Sequence, residues 1–87
     1  MKIKKGFILR EVAGNYIVVS VGEMAKKFNG VINLNQTGAF MWKELEKGGD
    51  QESLTAALLN EYEVGIEIAK KDAARFIQTL EKAGIVE

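Results

Sequence analysis

The 87-residue sequence contains no histidine, no cysteine and no proline. Without cysteine it can form no disulfide, no thiolate metal site and no thiol nucleophile. Without histidine it also lacks the commonest general base and one of the commonest metal ligands. Ser20, Thr37, Ser53, Thr55 and Thr79 have no base close in sequence, and the carboxylates are scattered. Lys26-Lys27 and Lys70-Lys71 read as solubilising surface charge, because lysine is rarely buried. "GNYIVV" and "KGGD" have the wrong glycine spacing for a phosphate loop and no Lys-Ser/Thr pair after it. The expectation is a protein that is not an enzyme and carries no cofactor or metal. Long apolar runs are absent too. The basic start "MKIKKGFILR" holds only "FIL" as an unbroken apolar stretch. That is too short for a signal peptide or a membrane span, so a cytoplasmic protein without membrane contact is expected.

What is present suits one small globular domain over residues 1–87. Apolar residues make up 47% and charged residues 28%, which excludes a disordered chain. The net charge is zero but unevenly placed. Residues 1–30 carry six basic and two acidic groups, net +4, and residues 31–87 carry six basic and ten acidic groups, net −4. From Asp50 to Glu67 there are five acidic residues and no basic one.

The first third reads as β-structure. "FILREV" and "YIVVSV" are rich in β-branched and aromatic residues and flank Ala13-Gly14-Asn15, a turn suited to a hairpin. The nearly continuous apolar "YIVVSV" predicts a central, buried strand. Asn29-Gly30 signals another turn before a third strand at Val31–Leu34, and "GEMAKK" fits either a loop or a short strand. The rest reads as three helices. Asn35 caps the first, with Gly38, Met41, Trp42 and Leu45 inward and Gly48-Gly49 as its stop. Asp50 caps the second, with Leu54, Ala57, Leu58 and Tyr62 inward. The third runs from about Glu67 to Ala83, with Ala69, Ala73, Phe76 and Leu80 inward, Ile77 at the margin and Gly84 as a left-handed cap.

Three motifs follow in order: Leu34-Asn35-Gln36-Thr37-Gly38-Ala39, then Glu61-Tyr62-Glu63-Val64, then Phe76…Leu80…Gly84-Ile85. Together they resemble the PqqD family, most closely over residues 30–87. The resemblance implies an α+β, winged helix-turn-helix-like fold in which a three-stranded antiparallel sheet is followed by three helices. It also implies a peptide chaperone of ribosomally made, modified peptides, of the kind found in pyrroloquinoline quinone synthesis. Its partners would be the leader of a precursor peptide and a modifying enzyme, often of the radical S-adenosylmethionine type. In the family the leader adds as a strand beside the third strand, against the third helix. Gly65-Ile66 stand where the family often has an acidic residue and proline, so that helix start is expected to be less well capped.

Carried onto this chain, the peptide site comprises Val31, Ile32 and Asn33 on the strand and Asp72, Arg75, Phe76 and Thr79 on the helix. "VINL" has neither proline nor charge to blunt an edge, which leaves it open to another strand. Trp42 reads as core, Gly38 as a close-packing position, and Phe76 as core that lines the cleft floor. A winged-helix DNA-binding regulator is the alternative. The acidic Asp50–Glu67 segment counts against it, since phosphate neutralisation by Lys and Arg supplies most of the non-specific affinity, and no nucleic-acid partner is expected. A third reading is a subunit-interaction module in which the third strand pairs with a second copy.

Overall fold

A computed structural model describes residues 1–28 and 30–87. β1 (Phe7–Val12) and β2 (Asn15–Ser20) form a hairpin closed by Ala13 and Gly14, both at positive φ. This is the two-residue turn whose twist matches paired strands, and Ala13 is the only non-glycine residue with positive φ among those described. β3 (Val31–Leu34) pairs antiparallel with β2, giving the order β1-β2-β3. β2 is central as expected, but only Val18 of its residues is fully buried. Leu9, Val18 and Ile32 stand side by side across the sheet and face the helices, whereas Val31 and Asn33 face outward and are exposed.

"GEMAKK" is neither loop nor strand. It contains a single helical turn, α1 (Met24–Lys27), entered through Gly22 at φ 62°. Met24 and Phe28, four residues apart, turn one side of it to the core, where Phe28 meets the Phe7 ring edge-on at 5.1 Å. The expected Asn29-Gly30 turn falls partly on residue 29, outside the described residues.

The three expected helices are α2 (Gln36–Glu46), α3 (Gln51–Glu61) and α4 (Ile66–Lys82). The Asn35 side chain accepts from the Gly38 N–H at 2.7 Å, and α2 buries Gly38, Met41, Trp42 and Leu45. Asp50 and Ser53 cap α3 reciprocally: the Ser53 N–H donates to Asp50 Oδ1 at 2.9 Å and the Asp50 N–H donates to Ser53 Oγ at 2.8 Å. The inner face of α3 departs from expectation. Thr55 is buried, with its hydroxyl returned to the Gln51 carbonyl at 2.8 Å, while Ala57 is only half-buried. Tyr62, also half-buried, rests edge-on against Phe40. Ile77 is fully buried, not marginal, because α4 is packed on more than one side. α4 starts at Gly65 without a side-chain cap. It ends in a paired motif: the Ile85 N–H donates to the Leu80 carbonyl and the Gly84 N–H to that of Glu81, with Gly84 at φ 74°. The chain ends then meet: Lys4 N–H donates to Ile85 O at 2.8 Å and Glu87 N–H to Lys2 O at 2.9 Å.

Candidate functional site

The candidate site starts from the free edge of β3. Val12 and Asn15 flank a two-residue turn, so they form a hydrogen-bonded pair. Bonded and non-bonded pairs alternate along an antiparallel ladder. On β2, therefore, Asn15, Ile17 and Val19 bond to β1, while Tyr16 and Val18 direct their backbone groups to β3. Their partners there are Leu34 and Ile32. This leaves the N–H and C=O of Val31 and Asn33 pointing away from β2, at the open edge of the sheet.

Beside the end of this edge lies a cleft of about 360 Å³ between β3, the start of α2 and the middle of α4. Asn33 and Leu34 line it from the strand; Asn35, Thr37, Gly38 and Met41 from α2; and Asp72, Arg75, Phe76 and Thr79 from α4. The four α4 residues are spaced i, i+3, i+4 and i+7, which sets them in one stripe. Phe76 is 8% exposed, so it serves both the core and the apolar floor of the cleft. Asp72 and Arg75 stand at the wall. The two ion pairs among the described residues, Lys26–Glu23 and Lys47–Glu44, involve neither of them, so both charges are free to meet a ligand. The Thr79 hydroxyl donates to the Arg75 carbonyl at 2.9 Å, which fixes its rotamer and turns the oxygen lone pairs outward as acceptors.

Of the residues expected at a peptide site, Asn33, Asp72, Arg75, Phe76 and Thr79 line one cleft. Val31 and Ile32 do not. Ile32 packs against the core, and Val31 stands on the outer face, 54% exposed, with its backbone at the open edge. Trp42 is wholly buried core. Gly38 has both roles. An added Cβ would lie 3.2 Å from Asn35 Oδ1 and 3.3 Å from Leu34 Cβ, so its bare Cα allows α2 to start against the strand. Sequence reasoning missed Leu34, Asn35, Thr37 and Met41 as cleft residues. For Leu34, Asn35 and Thr37 the signal was present, since they fall within Leu34–Ala39, the first of the three motifs; Met41 lies beyond it.

The profile of the family described as Coenzyme PQQ synthesis protein D (PqqD) matches residues 14–86. The chain belongs to the PqqD family. No curated protein matches it in sequence. Two solved structures share its fold. One, described as "TbiB1 in Complex with the TbiA(beta) Leader Peptide", superposes with a TM-score of 0.80 at 21% identity, covering 100% of this chain and 95% of that one. The other, "Lasso peptide synthetase B1 complexed with the leader peptide", gives a TM-score of 0.77 at 20% identity, covering 99% and 95%. Among the described residues of this PqqD-family chain, no helix is long and apolar enough to cross a membrane.

Proposed function

We propose that residues 1–87 act as one recognition domain that binds the leader segment of a ribosomally made precursor peptide and presents it to a modifying enzyme. The leader extends the sheet as a fourth strand, pairing with the free N–H and C=O groups of Val31 and Asn33. Its side chains reach the cleft, where Phe76 offers apolar contact, Arg75 pairs with an acidic group by donating to it, and Asp72 and Thr79 supply polar contacts. Ile32 holds the strand in place from the core side. The domain does no chemistry itself and works in the cytoplasm.

The observation that carries this reading is an unblunted strand edge opening onto a partly apolar cleft. Membership of the PqqD family supports it, as does the fold shared with two proteins that are each described in complex with a leader peptide. The net +4 of residues 1–30 would draw an acidic leader towards the sheet.

The test is Val31→Pro, which removes one outward backbone donor at the first position of the strand, a place where proline is tolerated. Synthetic leader segments of short precursor peptides encoded in the same genome are titrated by NMR against both forms. Wild-type shifts should map to β3 and the Asp72–Thr79 stripe, and the variant should keep its fold and bind about tenfold or more weakly, a loss of about 1.4 kcal/mol or more. Unchanged affinity, or shifts confined to α3, would refute the site.

A further inference from the structure

The outer face of the sheet carries an unfinished row that stops at the open edge of β3. Side chains alternate between the two faces along each strand. Leu9, Val18 and Ile32 face the helices, so Ile8 and Val19 beside them face outward, as Val31 does. Ile8 pairs with Val19, and Val19 pairs with Val31. The three therefore form one aliphatic row across the outer face. The solvated face of an antiparallel sheet is commonly polar. The adjoining outer row follows that habit at both ends, running Arg10, Ile17, Asn33. The aliphatic row does not. Its burial also falls towards the open edge: Ile8 and Val19 are half-buried, whereas Val31 is 54% exposed. Strand propensity alone would be met at Val31 by threonine as well as by valine.

Resting on the strand addition proposed above, we infer that the bound leader completes this row, its residue opposite Val31 carrying an aliphatic side chain on the outer face. The N–H and C=O of Val31 point to the open edge, so an added strand sets one residue opposite Val31. Neighbours across a ladder share a face and stand roughly 5 Å apart at Cβ. The side chain of that leader residue thus turns away from the cleft and lies against Val31. An aliphatic group there covers Val31 and extends the row from three strands to four, while a serine leaves it exposed. Two residues along, the leader residue opposite Asn33 meets a polar neighbour. The leader is read on both faces, by the cleft on the inner one and by Val31 on the outer one. A second copy of the chain would not supply the missing member. Two β3 strands paired antiparallel through both of their outward residues set Asn33 of one opposite Val31 of the other, which ends the row in an amide.

The experiment uses the full chain, as wild type and Val31→Thr, with synthetic leader segments. Threonine keeps the β-branched shape but adds a hydroxyl, and the position is exposed, so the variant should fold. Backbone contacts in NMR spectra of the complex identify the leader residue opposite Val31. That residue is then made valine and serine in turn, and the four combinations are titrated. Wild type should bind the valine leader about threefold to fivefold more tightly than the serine leader. With Val31→Thr that preference should fall below about twofold. No preference in wild type, or one of equal size in both forms, would overturn the row and leave the strand addition standing. Leader segments that do not bind, or bind away from β3, would overturn the strand addition itself. Dimerisation of the free chain that Val31→Thr weakens would overturn the choice of occupant.

Discussion

Trp42 shows how one residue can matter to the whole domain without touching the ligand. It is fully buried, and its indole Nε1–H has no partner among the described residues. Its role is therefore apolar volume, with the N–H as a cost. Truncation to alanine is expected to cost about 3–5 kcal/mol, comparable to the entire stability of a domain this small. Trp42→Phe keeps most of the volume and removes the unpartnered donor, so it should cost about 1–2 kcal/mol. Urea unfolding followed by circular dichroism tests both; an alanine variant as stable as the phenylalanine variant would show that the site is not packed as described. Gly38 acts by absence, because the missing Cβ brings the first turn of α2 against Leu34 and shapes the cleft there.

At the scale of elements, the helix caps differ. α3 has a reciprocal Asp50–Ser53 box, whereas α4 begins at Gly65 with no side-chain cap. Hydrogen bonding from the Ser53 backbone N–H holds the exposed Asp50 carboxyl below its ordinary value of 3.8. A depressed acid stabilises the fold above its unfolded-state pKa, and that contribution fades as the pH falls through the lowered folded-state value. Asp50→Asn keeps an acceptor but loses the charge and its titration. The wild-type advantage in melting temperature over Asp50→Asn should therefore be constant from neutral pH down to about 5 and shrink below about 4. An advantage that instead grows in acid would contradict the assignment. β3 is the opposite case to these capped ends. It is four residues long and bonded on one side only, so its stability comes from β2 and from the inward Ile32 and Leu34, while its outer edge stays free.

For the whole molecule, charge separates the possible partners. The sheet-bearing third is net positive, and the α3–α4 turn that a helix-turn-helix protein would bring to DNA is acidic. Duplex DNA titrated at low salt should show no sub-micromolar binding by anisotropy; binding that tight, with a steep salt dependence, would restore the regulator reading. Much of this chain was legible as text. The period-3.6 spacing of Met41, Trp42 and Leu45 and of Ala69, Ala73, Phe76 and Leu80 is local, as are the caps at Asn35, Asp50 and Gly84, so the sequence alone determined three helices and most of their buried faces. The three motifs likewise marked the family. What the text did not carry depends on contacts between distant segments. α1 owes its place to Met24 and Phe28 meeting the core, and the Phe28 ring to Phe7, far back in the chain. Periodicity puts Asp72, Arg75 and Thr79 on one flank of α4 but cannot say what faces that flank; the packing of β3 and the start of α2 beside it decides that. The outward direction of the Val31 and Asn33 backbone groups follows from the register of all three strands, which the two-residue turn sets and a one-residue slip would invert. Local grammar is written in neighbouring residues and can be read from them. A cleft and a free edge arise only where elements meet, and the tertiary structure alone decided where that is.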